Sequence, residues 1–138
     1  MPTLFRLDAS IRNEGSVTRA IADTLQSALV SDGADISLSR REIGLSPLPS
    51  TAWADAVFAP HTEQRTASQT SSLQLEPELA DELIKADAYV FALPFYNFGV
   101  SQHFKTWADI VLTDPRLASG VESPIKGRPA QLIVARGG

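Results

Sequence analysis

Positions Val17, Ala20, Ile21, Thr24, Leu25, Ala28 and Leu29 recur at spacings of three and four, which places them on one helical face. Asp32-Gly33 supplies the stop. Residues 3–9 read as a strand that ends in a polar loop ahead of this helix. After it, Ile36 and Leu38 alternate with serines, and a second strand is expected over 36–41. Residues 44–76 carry Pro47, Pro49 and Pro60 among many Ser, Thr and Gln. Trp53, Val57 and Phe58 give one short helical face. A structureless loop of such length is unusual in a compact domain. One or two short helices are expected there, with a mobile stretch around Thr66–Ser72.

The helical period resumes at Pro77, a favourable helix start, and continues through Leu79, Leu83 and Ala86. Lys85 near the end suits the macrodipole. Ala88-Tyr89-Val90-Phe91-Ala92-Leu93 is a continuous apolar run. It reads as a strand buried on both faces, hence a parallel sheet covered by helices, and Pro94 is expected to end it. A helix follows from about Ser101 to Leu112, with Phe104, Trp107, Ala108 and Val111 on one face; Asp114-Pro115 breaks it. The last strand is Ala130–Ala135.

Strands alternating with helices argue a doubly wound parallel α/β sheet, read as a single domain over residues 1–138. Sheets of this kind commonly have five strands in the order 2-1-3-4-5. Four are visible here, followed by Gly137-Gly138. The expectation is therefore an order 2-1-3-4, with the fifth strand and last helix missing from a C-terminally truncated chain.

The formal net charge of -4 and a pI of about 5.1 offer no basic stripe for a nucleic-acid backbone. The absence of cysteine excludes disulfides, thiolate metal sites and thiol redox chemistry. The two histidines, His61 and His103, lie far apart in sequence, which argues against a His-rich metal site. Electron transfer would need a bound cofactor. The N-terminus lacks the basic region and apolar core of a signal peptide, and no apolar run approaches the roughly 20 residues that span a bilayer. The reading is a cytoplasmic protein.

Three loops carry candidate chemistry. Ser10–Arg19 leaves the C-terminal end of the first strand and opens a helix. Its unpaired N–H groups and partial positive charge suit a phosphate, and Ser10, Ser16 and Thr18 add hydroxyls. The glycine pattern for a dinucleotide and the Walker A lysine are both absent, so a monophosphate fits better. The alternative is that Ser16 is only an N-cap. Phe95-Tyr96-Asn97-Phe98 follows the buried strand at the same sheet edge. It suits a flat flavin ring, which needs apolar walls and backbone hydrogen bonds; the alternative is a hydrophobic plug. Ala135-Arg136-Gly137-Gly138 follows the last strand, where glycines permit close approach of a flat ligand; the alternative is an ordinary strand-end turn. All three fall on the edge where FMN binds in the 2-1-3-4-5 order.

With these residues in view, the chain resembles the FMN-dependent NADH:quinone oxidoreductases, also called FMN-dependent azoreductases, of the flavodoxin-like fold. The strongest match is Leu93-Pro94-Phe95-Tyr96-Asn97-Phe98-Gly99-Val100-Ser101, continuing through Phe104-Lys105-Thr106-Trp107-Ala108-Asp109. The Ser10…Ser16-x-Thr18 loop and the terminal Arg-Gly-Gly also match, and the likeness is weakest over residues 50–75. Phe95 stands where the family usually has Met, and Ala135 where Ser is more frequent.

The resemblance implies that Ser10, Ser16, Val17 and Thr18 hold the phosphate and ribityl end of FMN. Phe95, Tyr96, Asn97 and Phe98 would bind and pack the ring, and Ala135, Arg136, Gly137 and Gly138 would line its other side. It implies a ping-pong reaction: NADH or NADPH reduces the flavin, and a quinone or an aromatic azo compound then takes two electrons at the same face. It implies a homodimer with the flavin near the interface. Trp53, Phe58 and Trp107 are candidate interface or substrate-wall residues, with core packing as the alternative for each. No general acid or base stands out; His61 and Tyr96 are possible proton sources. The rival readings are a flavodoxin-type FMN electron carrier and an inactive fragment of the same fold.

Overall fold

The computed structural model describes residues 1–33 and 35–137. In chain order the elements are β1 (Thr3–Asp8), α1 (Val17–Ser31), β2 (Ser37–Glu42), α2 (Ala52–Phe58), α3 (Ala67–Lys85), β3 (Ala88–Tyr96), β4 (Gly99–Val100), α4 (Gln102–Val111) and β5 (Ala130–Ala135). A short 3-10 turn at Ala59–His61 follows α2.

The parallel strands stand in the order β2-β1-β3-β5. This is the expected 2-1-3-4 arrangement, with β5 as its fourth strand. Alternation along β1 sends side chains to two different cores. Phe5, Leu7 and Ala9 join Ala52 of α2, Leu79 and Leu83 of α3, and Trp107, Ile110 and Val111 of α4. Leu4 joins Val90, Ala92, Ile133 and Ala22 of α1 on the other face. Helices therefore cover both faces, and the apolar run in β3 is the consequence.

Arg6 and Asp8 share the α1 face of β1 and are almost fully buried. They survive there because they satisfy each other. Arg6 Nε donates to Asp8 at 2.9 Å, and its Nη1 reaches Asp23 and Gln26 of α1 at 2.7 and 3.0 Å. Arg40 of β2 also donates to Asp8, at 2.8 Å. Removing one partner would strand a charge in the interior.

Three local expectations are corrected. The stretch Thr66–Ser72 is not a mobile loop, since Thr66 caps α3 and residues 67–72 form its first turns. Its hydroxyl accepts from the Gln69 N–H at 3.1 Å, and the Gln69 side chain accepts from the Thr66 N–H at 3.0 Å. This reciprocal capping box starts the helix. Pro77 consequently lies inside α3 rather than at its start. The lost intrahelical bond is offset because Leu75, Leu79 and Leu83 pack into the core.

Pro94 does not end β3. The Ala92 carbonyl faces β1 and accepts from the Ala9 N–H at 3.1 Å. Alternation puts the Pro94 nitrogen on that same side, past Asp8, the last paired residue of β1. No ladder bond is lost there, so the strand continues to Tyr96. It then turns through Asn97 and Phe98, both at positive φ (50° and 69°), and pairs antiparallel with β4. Positive φ at both central residues marks a tight hairpin turn of the primed kind.

Among the described residues, no helix is long and apolar enough to cross a membrane.

Candidate functional site

The chain leaves β1 toward β2 on one side and returns to β3 on the other. The C-terminal ends of β1 and β3 therefore border a crevice at the switch of strand direction, where open α/β sheets bind ligands. An open cleft of about 1410 Å³ lies there. Ser10, Ser16, Val17, Thr18, Phe95, Tyr96, Asn97, Phe98, Ala135, Arg136 and Gly137 all line it. The three loops singled out in the sequence thus meet in one place. Gly138 lies outside the described residues.

The phosphate-type loop is built around hydroxyls. Ser10 and Thr18 are almost fully buried, and Ser16 is half-buried. The Ser10 hydroxyl accepts from the Arg12 N–H at 3.1 Å, and that of Ser16 accepts from the Arg19 N–H at 3.3 Å. Ser16 is therefore the N-cap of α1 and also a wall of the cleft; the two roles coexist. A serine whose oxygen accepts locally still has its own O–H to donate. Ser16 and Thr18 hydroxyls also lie 3.4 Å apart. Gly15 takes φ +74°, which carries the loop into the helix without a Cβ penalty.

The hairpin is tied to this loop. The Ile11 N–H donates to the Tyr96 hydroxyl at 3.1 Å. Phe95 and Tyr96 are half-buried, whereas Asn97 and Phe98 stand exposed at the tip. Holding Phe98 at positive φ is strained for a bulky residue, and such strain clusters at functional loops.

Among the described residues that line the cleft none carries a side-chain carboxylate; the ionisable side chains are Arg12, His103, Arg136 and the Tyr96 phenol. That donor set, with the start of α1, suits a bound phosphate, and the aromatic hairpin opposite suits a flat ring. Ile11, Arg12, Gly15 and Pro94, which lie in the loops singled out but were given no role of their own, also line it, and sequence reading missed Val100, Ser101, Gln102 and His103. Most are chain neighbours of the residues it found. His103 follows the hairpin at the start of α4, whose N-cap, Ser101, accepts from the Phe104 N–H at 3.1 Å.

His61 sits in a separate exposed depression with Pro60, Thr62, Glu63 and Arg65 and does not line this cleft. Trp107 is core. It is 5% exposed and stacks on Phe5 with ring centroids 6.4 Å apart. Trp53 and Phe58 remain on the surface at 48% and 62% exposure. No group of three or more His, Cys, Asp or Glu side chains suited to a metal occurs among the described residues.

Glu42, at the end of β2, shapes the loop from outside the cleft. Burial pushes its carboxyl up, but Arg19 and the N–H groups of Leu45 and Gly44 outweigh that and hold it below the usual range.

Comparison with known proteins agrees with this geometry. Residues 2–138 match the family described as having a flavodoxin-like fold. The FMN-dependent NADH:quinone oxidoreductase of Frankia alni is 37% identical over 142 aligned positions, which cover 100% of this chain and 67% of that protein. The enzyme of the same name from Thiobacillus denitrificans is also 37% identical, over 98% of this chain and 68% of its own length. Among solved structures, an FMN-dependent NADH-azoreductase from Bacillus anthracis in complex with FMN superposes with a TM-score of 0.76 at 18% identity. That superposition spans 100% of this chain and 70% of the azoreductase, and it speaks for the fold. On its sequence, its fold and the cleft at its strand ends, the chain belongs to the flavodoxin-like family of FMN-dependent NADH:quinone oxidoreductases.

Proposed function

We propose that this chain is an FMN-dependent oxidoreductase that uses NADH or NADPH to reduce quinones and to cleave aromatic azo compounds to amines. The observation that carries the reading is the convergence of three loops on one cleft whose described lining residues carry no side-chain carboxylate. Bound FMN would supply the two-electron redox chemistry. Ser10, Ser16, Val17 and Thr18 hold its phosphate and ribityl end through hydroxyls and the first N–H groups of α1. Phe95–Phe98 pack the ring on one side, and Ala135, Arg136 and Gly137 line the other.

The nicotinamide and the acceptor use this open cleft in turn, a ping-pong order. Residues 1–138 act as one flavin-binding unit. A second copy of the chain covers Trp53 and Phe58, and the protein works in the cytoplasm. Tyr96 lines the cleft, and its O–H would be available to donate a proton, since a hydroxyl whose oxygen accepts from Ile11 keeps its own hydrogen.

Two measurements test this. Apoprotein titrated with FMN should quench flavin fluorescence to a one-to-one end point. The loaded protein should then oxidise NADH when menadione is added. A protein that takes up no FMN overturns the reading. Uptake without menadione-dependent NADH oxidation would make it an electron carrier instead.

A further inference from the structure

We propose that Arg19 is a positioning residue that shapes the phosphate end of the cleft from behind, by holding the carbonyl oxygens of the Ser10–Arg12 turn. The inference rests on the FMN reading above.

Arg19 does not line the cleft, and it is 8% exposed. Its Nη2 donates to the Ser10 carbonyl at 2.6 Å, and its Nε to the Arg12 carbonyl at 2.8 Å. The other edge of the guanidinium pairs with both carboxylate oxygens of Glu42, Nη2 reaching Oε2 at 2.9 Å. That carboxylate also accepts from the N–H groups of Gly44 and Leu45, each at 2.8 Å. One planar fork thus links the loop after β1, the first turn of α1 and the turn after β2.

Helix physics alone does not explain a cation here. The first turn of a helix favours negative charge, and Arg19 sits in it. Glu42 offsets that penalty and fixes the side chain. The gain lies in the loop. A carbonyl oxygen turned toward an anion repels it, and Arg19, which is not among the lining residues, engages the Ser10 and Arg12 carbonyl oxygens of that loop. Lysine has no comparable fork, because its ammonium is a point charge.

The test compares FMN with riboflavin, which lacks the phosphate, on the apoprotein by fluorescence titration. R19Q and R19K should each weaken FMN binding by roughly tenfold or more, the scale of lost hydrogen bonds to a charged group. Riboflavin affinity should stay within about twofold. Amide hydrogen exchange in the free apoprotein should speed up in residues 11–16 of R19Q and nowhere in β3 or α4. R19K, which retains the charge, should show the same local exchange pattern and carries the readout if R19Q is too unstable to titrate.

R19K binding FMN like the wild type would overturn the proposal, since charge alone would then suffice. So would parallel losses of FMN and riboflavin, or unchanged exchange in the loop. Failure of the wild-type apoprotein to bind FMN, with faster loop exchange in R19Q, would overturn the function reading and leave the loop-holding role standing.

Discussion

The Ile11 N–H donates to the Tyr96 hydroxyl at 3.1 Å, across 85 positions of sequence. This bond joins the loop after β1 to the hairpin after β3, the two walls that face each other over the cleft. Y96F keeps the ring and removes the acceptor. It should weaken FMN binding about 2- to 10-fold, the range for one net hydrogen bond, with little change in thermal stability. Fluorescence titration and a melting curve check both halves. An unchanged affinity would mean that the tie is incidental.

Ser16 caps α1 and lines the cleft, and one substitution separates the two roles. Aspartate is as good an N-cap and suits the helix dipole, but its charge opposes a phosphate. S16D should melt at or above the wild-type temperature as apoprotein. Its FMN affinity should fall at least about tenfold, as the like-charge cost is on the order of 1.4 kcal/mol or more, while riboflavin binding holds. Loss of both ligands together would count against phosphate binding at this loop.

Gly44 lies against the loop backbone. A Cβ placed on it would sit 1.9 Å from the Ser10 carbonyl oxygen, which is backbone and has no side chain to swing aside. G44A should destabilise the protein by roughly 1–3 kcal/mol, the range for forced overpacking with backbone shift. It should also weaken FMN binding, because Ser10 must move. Urea denaturation reads the first effect. A wild-type midpoint in G44A would show that the turn after β2 is free to relax.

Two carboxyls titrate in opposite senses. Burial and the neighbouring Asp114 raise Glu76 above its ordinary value of 4.5, against a lowering pull from Arg116. Its ionised form therefore costs the folded state at neutral pH, and that cost fades as pH falls through the raised value. E76Q should be more stable than wild type at pH 7, by a margin that shrinks on acidification.

Glu42 is held below 4.5 despite burial, by Arg19 and two backbone N–H groups. The unfolded chain thus takes up a proton before the folded one does. Its contribution is present above about pH 4.5 and lost as pH falls below it. E42Q should flatten that acid limb. Melting temperatures from pH 3 to 8 decide both carboxyl predictions, and a wild-type pH profile in E42Q would remove the role given to this carboxylate.

Much of the architecture was legible because its signals are local. The extents of α1 and β2, the apolar run of β3 and the stripe of α4 each follow from a period of two or 3.6 residues. The inward faces of α1 and β2 do not: α1 buries Thr18, Arg19 and Ala22 while Val17 and Ile21 stay exposed, and Leu38 of β2 points outward. The three loops of the cleft were legible because each follows a strand. Where reading failed, the signal was polar or masked. The capping box of Thr66 and Gln69 looked like a Ser/Thr-rich loop. The turn at Asn97-Phe98 lacks the glycine that usually announces positive φ at its second position.

The sequence by itself determined the four parallel strands and the helices α1 and α4, and that their loops carry hydroxyls, aromatics and glycines. Only the tertiary structure decided that these loops face one another, since that depends on β3 lying beside β1 rather than beyond β2. It also decided the place of Arg19. Along the chain this is one basic residue in an amphipathic helix, like any other. Its partner Glu42 lies 23 positions away, and no local period encodes a contact made by packing a helix against a neighbouring strand end.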